Sequence, residues 1–245
     1  MTRRDAEEEN LFLPPRLSVL LCVSPRSSFL CNSSLPPRLS AFLRVPLLFA
    51  LLMILSGCAS VKPVVKIGLV APFEGRARAV GYDAIYAARL AVREANAAGG
   101  IGGYRLAVVA LDDRGDPELA AQSAAALAVD PAVVAVVGHY LPPTTAAANE
   151  VYANTGLPLL PAGAPPFAAA DPAALPPAFV AAYEDVTPFD ETPGPYAGPT
   201  YDAFALLWAA LAQAEETGGG ITRATVQEAL RGLEYEGMTG TVFQP

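Results

Sequence analysis

From Val64 onward the apolar positions change period in a regular way. Val64-Val-Lys-Ile-Gly-Leu-Val70 is a short β-branched run, which predicts a buried strand. Tyr82 to Ala98 follows, with Ile85, Ala88, Val92 and Ala95 at helical spacing and Gly99-Gly100 as its stop. Arg105 to Leu111 predicts a second strand. Asp112-Asp113 then leads into a helix from about Pro117 to Val129, where proline suits the first helical position. Val133-Val-Ala-Val-Val137 is a third strand, Thr144 to Asn154 a third helix and Leu157 to Leu160 a fourth strand. Strand–helix alternation with near-continuous apolar strands predicts an α/β fold, a parallel sheet flanked by helices. Ligands of such sheets bind beyond the carboxyl ends of the strands. Here those ends are 71–81, 112–116, 138–143 and 161–167.

Beyond the fourth strand the pattern loosens. More than half of the chain's 24 prolines fall between Pro142 and Pro199, so apart from a helix over Pro177 to Asp185 this stretch reads largely as loop. Tyr201 to Ala214 is a strong helix, with Phe204, Leu207, Trp208 and Leu211 following i, i+3, i+4, i+7. Gly218-Gly219-Gly220 breaks it, and Thr222 is placed to cap a last helix from Arg223 to Leu233. Thr241 to Pro245 reads as a final strand.

The start of the chain has a different character. Arg38 and Arg44 precede an apolar run from Val45 to Leu55, the layout of a secretory signal, and the run is too short for the ~20 helical residues that span a bilayer. Leu55-Ser56-Gly57-Cys58 resembles a bacterial lipobox. That implies cleavage before a lipidated Cys58 and stable membrane attachment on the extracytoplasmic side. Upstream, Leu13-Pro-Pro-Arg-Leu-Ser18 recurs unchanged at Leu35 to Ser40, which is foreign to a signal and points to translation starting nearer Arg38.

Composition narrows the chemistry. Past residue 57 the chain carries 10 Lys+Arg against 20 Asp+Glu, with Lys62 and Lys66 its only lysines. Such an acidic body offers nothing to a phosphate backbone, so nucleic acid is excluded as a partner. Three cysteines, Cys22, Cys31 and Cys58, make no disulfide framework and leave no thiol for catalysis once the third is lipidated. His139 is the single histidine and cannot alone build a histidine-rich metal site.

Six phrases carry a resemblance: Lys66-Ile-Gly-Leu-Val, the loop to Gly81, Ala95-Asn-Ala-Ala-Gly-Gly-Ile-Gly-Gly, Asp112-Asp-Arg-Gly-Asp-Pro117, Val136-Val-Gly-His and Gly156-Leu-Pro-Leu-Leu-Pro. In order and in spacing they resemble the branched-chain amino-acid (Leu/Ile/Val) receptors of the type I periplasmic binding-protein family. The match resumes at Asp171-Pro and at Pro199-Thr-Tyr-Asp-Ala-Phe. The resemblance implies one Rossmann-like lobe of an ABC importer's solute-binding protein, without cofactor or enzymatic activity. Its ligand would be a branched-chain or other small amino acid or amide, and its partner an ABC permease. In that family the chain leaves lobe 1 after the fourth strand or so, builds a second lobe, and returns with a helix like Tyr201–Ala214. Here exit and return are joined directly near Phe167–Asp171. The organisation expected is therefore leader and signal over 1–57, anchor linker over 58–63 and the first part of lobe 1 over 64–167. A proline-rich junction over 168–199 and the returning helices over 200–245 complete it.

In the resembling receptors lobe 1 holds the ligand's α-amino and α-carboxylate groups with hydroxyls and backbone groups of the loops after strands three and four. The resemblance thus places the ligand site at Tyr140, Pro142, Thr144, Gly163, Ala164 and Val80. Pro142 stands where the family has its ligand-binding serine, which removes an N–H and a hydroxyl. Thr144 or Thr145 either substitutes for it or caps the following helix. Gly163 matches a position that contributes its carbonyl, Pro165 replaces a threonine, and Val80 replaces an aromatic pocket residue. These departures fit a less polar ligand, or a chain that binds nothing.

Other signals are weaker. Gly99-Gly-Ile-Gly-Gly103 follows a helix and precedes a strand, the reverse of a dinucleotide loop, and reads as a turn. Asp112, Asp113 and Asp116 lack the further carboxylates of a calcium loop. His139 stands at a strand end where a catalytic base can sit, but has no evident partner and reads as a support for its loop. Two alternatives to a receptor remain at this point: a non-functional deletion remnant, and a small exported α/β enzyme using His139 or the Asp112/Asp113 carboxylates.

Overall fold

The computed structural model describes residues 62–243; the leader, the signal run, the lipobox with Cys58 and most of the anchor linker lie outside them. Four strands, β1 (Val64–Ala71), β2 (Arg105–Asp112), β3 (Val133–Gly138) and β4 (Leu159–Leu160), form a parallel sheet in the order β2-β1-β3-β4. Each crossover carries a helix: α1 (Arg78–Ala97), α2 (Pro117–Ala128) and α3 (Pro142–Thr155). A 3-10 turn at Pro172–Ala174 and the helices α4 (Pro177–Glu184), α5 (Ala197–Glu216) and α6 (Arg223–Gly232) follow. Among the described residues no helix is long and apolar enough to cross a membrane.

The sheet is buried on both faces, as near-continuous apolar strands require. Ile67 and Leu69 of β1 join Phe204, Leu207 and Leu211 of α5 in one core cluster, with Ala84, Ala88 and Ala91 of α1. Val70 points the other way and packs with Val136 of β3 against Ala120, Ala124 and Leu127 of α2 and Ala148 and Tyr152 of α3. The period-2 alternation of side chains along β1 accounts for the split.

Helix starts differ from expectation at three places. α1 opens at Arg78 and α5 at Ala197, each four residues before the expected Tyr82 and Tyr201. α3 opens at Pro142 rather than Thr144, with two prolines in its first turn. First-turn residues have no intrahelical N–H partner to lose, so Pro142, Pro143 and Pro199 cost these helices little. α6 begins as read: Thr222 Oγ1 accepts from the Thr225 N–H at 3.2 Å, and Thr225 Oγ1 accepts from the Thr222 N–H at 2.9 Å.

The C-terminal strand exists but does not join the sheet. β6 (Val242–Phe243) pairs antiparallel with β5 (Tyr235–Glu236), a strand the apolar pattern does not announce. Asp202, buried on α5, accepts from the N–H groups of Met238 (2.9 Å) and Thr239 (3.1 Å) and so ties this ribbon to the fold. Arg223 makes a second tie. Its Nε donates to Val133 O at 2.9 Å, and one Nη donates to Ala128 O at 3.0 Å and Asp130 O at 2.8 Å. The guanidinium thereby satisfies carbonyls at the end of α2 that have no helical partner.

Candidate functional site

The chain runs from β1 outward to β2 on one side and returns to β3 on the other, so the order of the sheet reverses between β1 and β3. At such a switch point the loops part and leave a crevice at the carboxyl ends. Two glycines permit the close packing there. A Cβ on Gly138 (φ 131°) would lie 2.2 Å from Val70 O, and one on Gly163 (φ 78°) would lie 2.3 Å from Tyr140 O. Gly138 thus lets the end of β3 lie against β1, and Gly163 lets the loop after β4 meet the loop after β3 backbone to backbone, which a residue with a Cβ does not allow.

Behind the loops lies a buried polar relay. His139 Nδ1 is 2.8 Å from Asp113 Oδ2, and its Nε2 is 3.1 Å from the Tyr152 hydroxyl. A proton on Nδ1 faces the carboxylate, which leaves Nε2 to accept the tyrosine O–H. Asp113 Oδ1 accepts from the Gly115 N–H at 2.9 Å. The Tyr152 hydroxyl is pushed above the ordinary tyrosine range, first by burial and then by the Asp113 charge. The relay joins the ends of β2 and β3 to α3, so His139 supports its loop. Both His139 and Asp113 are 0% exposed, which removes them from the reach of a substrate and with them the catalytic-base reading.

The remaining carboxylates of the region hold backbone. Asp112 Oδ1 accepts from the N–H groups of Phe73 and Arg114, both at 2.8 Å, and Asp116 Oδ1 caps α2 by accepting from Glu118 and Leu119. Among the described residues no group of three His, Cys, Asp or Glu side chains is arranged to hold a metal.

In front of the relay, a cleft of about 360 Å³ is lined by Tyr140, Pro142, Thr145, Ala146, Asn149, Leu159, Pro161, Ala162, Gly163 and Ala164. It brings together four of the sequence-read site residues: Tyr140, Pro142, Gly163 and Ala164. It leaves out Thr144 and Val80. Val80 lies on α1 and packs against the core that α1 shares with α5. Thr144 is buried and donates its hydroxyl proton to Leu141 O at 2.8 Å. Neither threonine caps α3, because the helix starts at the prolines and places the two threonines third and fourth in it. From there their hydroxyls reach back to carbonyls, Thr145 Oγ1 donating to His139 O (2.9 Å) and Leu141 O (3.0 Å).

Asn149, Ala146 and Leu159 were not read as site residues. Pro142, Thr145, Ala146 and Asn149 stand at i, i+3, i+4 and i+7, one helical face, which would have found them once the helix start was known. Tyr140 anchors the cleft from below. Its hydroxyl lies 2.8 Å from Thr200 Oγ1, and its ring meets Tyr196 edge-to-face at 5.9 Å. Burial pushes that hydroxyl up, against the Thr200 hydrogen bond. Asp83 on α1 accepts from the Tyr196 N–H at 3.2 Å, and burial raises its carboxyl above the ordinary range.

Residues 64–177 match the family model described as periplasmic binding protein. An amino acid binding protein of Pseudomonas aeruginosa is 36% identical over 93 residues, 38% of this chain and 25% of that protein. The chain thus spans about a quarter of the length of the curated relatives it matches. The branched-chain amino acid transporter substrate-binding protein LivJ of Streptococcus pneumoniae, solved with isoleucine, superposes with a TM-score of 0.60 at 18% identity. That superposition covers 73% of this chain and 91% of that one. A branched-chain amino acid ABC transporter protein of Rhodospirillum rubrum superposes with a TM-score of 0.62 at 18% identity, covering 74% and 96%. The sheet and its helices have the fold of a type I periplasmic binding-protein lobe.

Proposed function

We propose, for a chain whose residues 64–177 carry the pattern of the periplasmic binding-protein family, that it is the ligand-holding lobe of a solute-binding protein serving an ABC importer. Its ligands are branched-chain or other small amino acids or amides, its transport partner is an ABC permease, and its place is the extracytoplasmic face of the membrane, held by lipid on Cys58. The observation that carries this reading is the cleft at the ends of β3 and β4, where Tyr140, Pro142, Gly163 and Ala164 converge. Small-molecule sites of open α/β sheets lie at such a position. The names of the similar proteins, the matched family and the wholly buried His139 all support a binder over an enzyme.

The loss of the second lobe belongs to the same proposal. The chain passes from Phe167 through a short turn and α4 to α5, where the family inserts a lobe of domain size. Two-lobed receptors bind by closing a hinge over the ligand, burying both of its faces. A single lobe contacts one face only, so binding is weak, on the order of millimolar, and transport by this chain alone is lost. Amide-resolved NMR titration with leucine, isoleucine, valine and small amides tests the reading. Saturable shifts confined to Tyr140–Ala146 and Leu159–Ala164 are the expected result. Shifts elsewhere, or none with any of these compounds, would overturn it.

A further inference from the structure

We infer that this cleft selects an uncharged ligand, a primary amide on a small branched aliphatic body, over an amino-acid zwitterion. The inference rests on the reading of the cleft as the ligand site. None of the ten lining residues has a charged side chain. Its one titratable lining residue, Tyr140, is buried with its hydroxyl on Thr200, and His139 and Asp113 behind the loops are wholly buried and bonded to each other.

The donors that an anion needs are missing one by one. A helix N-terminus normally offers several unpaired N–H groups to a carboxylate. In α3 the first two positions are Pro142 and Pro143, which have none, and the Thr145 N–H donates to Leu141 O at 2.9 Å, so the turn is reduced to the N–H of Thr144. The hydroxyl protons of Thr144 and Thr145 turn inward to the carbonyls of Leu141 and His139. In the facing loop, Gly163 N–H donates to Phe167 O at 2.9 Å, and Pro165 and Pro166 have no N–H. What the lining and the first turn of α3 retain is the side-chain amide of Asn149, the N–H groups of Thr144 and exposed Ala164, and the lone pairs of Thr145 Oγ1, too few for a carboxylate and an ammonium together.

A zwitterion brought there leaves its carboxylate short of donors and its ammonium without a carboxylate partner, a desolvation cost with little return. A primary amide fits the same inventory. Its two N–H donors meet the Thr145 and Asn149 oxygens, and its carbonyl meets the Asn149 amide or the Ala164 N–H. Leu159, Ala146 and Pro161 take the methyl groups. A cleft of about 360 Å³ has room for a body of that size.

The test uses the full ¹⁵N-labelled chain and three probes that share one alkyl body: 4-methylpentanamide, L-leucine and 4-methylpentanoate. The expected result is saturable shifting of Thr145, Ala146, Asn149 and Ala164 by the amide, with affinity about tenfold or more above leucine and the carboxylate, the scale of one charged group left short of partners. In Pro142→Ser, which returns an N–H and a hydroxyl to the start of α3, leucine tightens and that ratio narrows. Leucine binding in the cleft of the unaltered chain as tightly as the amide would overturn the inference while leaving the proposed function standing. Shifts of these residues by none of the three probes would overturn both.

Discussion

The imidazole of His139 and the carboxylate of Asp113 meet at 2.8 Å with both side chains sealed from solvent, and the other ring nitrogen reaches the Tyr152 hydroxyl at 3.1 Å. These three residues come from the ends of β3 and β2 and from the last turn of α3. The contact therefore fixes the floor on which the cleft loops rest, and it links the cleft to the core of the sheet.

Removing one member of a buried pair strands the other. His139→Ala should cost about 3–5 kcal/mol, because it leaves the Asp113 carboxylate buried without its partner. Asp113→Asn, which still offers an oxygen to the ring, should cost clearly less. Urea unfolding of the two variants decides this, and equal losses would show that the relay carries no buried charge.

Arg223 makes three charge-assisted hydrogen bonds to carbonyls at the end of α2 and the start of β3. Arg223→Ala should lower stability by about 1.5–3 kcal/mol, since bonds to a charged donor are worth more than neutral ones. Arg223→Lys, with one compact charge in place of the planar fork, should recover only part of the loss. Thermal melts of the two variants check the order.

Two aspartates respond to pH with opposite sign. Burial raises the Asp83 carboxyl above its ordinary range, so its favourable contribution is complete at low pH and is lost as pH rises through the raised value. The Lys66 hydrogen bond leads the lowering of Asp130, so its contribution is present at neutral pH and is lost as pH falls through the lowered value. Asp83→Asn should therefore raise stability at pH 7 relative to pH 3, and Asp130→Asn should lower it at pH 7 and little at pH 2. Melting temperature against pH for both variants shows whether the signs hold.

Much of the sheet was legible because its strands are apolar runs and the helix faces of α1 and α5 repeat at 3.6 residues. Helix starts were not. Pro142-Pro143 and Ala197-Gly198-Pro199 look like loop, yet a first turn needs no internal N–H bond and tolerates them. The two-residue strand β5 carries no periodicity to read. The Asp113–His139–Tyr152 relay joins residues far apart in sequence, which no local pattern announces. Of the cleft, Tyr140, Pro142, Gly163 and Ala164 follow from the resemblance alone. Thr144 does not line the cleft, because the register of α3 turns its hydroxyl to Leu141 O.

Gly163 and Tyr140 O are too close for any other residue at position 163, so Gly163→Val should force the loops after β3 and β4 apart. Ligand shifts at Tyr140–Ala146 should vanish in this variant while the dispersed spectrum of β1 and α5 persists. Retained ligand shifts with an unchanged affinity would place the site elsewhere.

The central claim of the proposed function is that this lobe, with no second lobe closing over it, holds the site without the grip. Isothermal calorimetry of the full chain against leucine, isoleucine, valine and 4-methylpentanamide measures it directly. The account predicts dissociation constants on the order of millimolar or weaker, the cost of leaving one face of the ligand in water. A submicromolar constant for any of these compounds would contradict it, because such affinity needs a second lobe closing over the cleft.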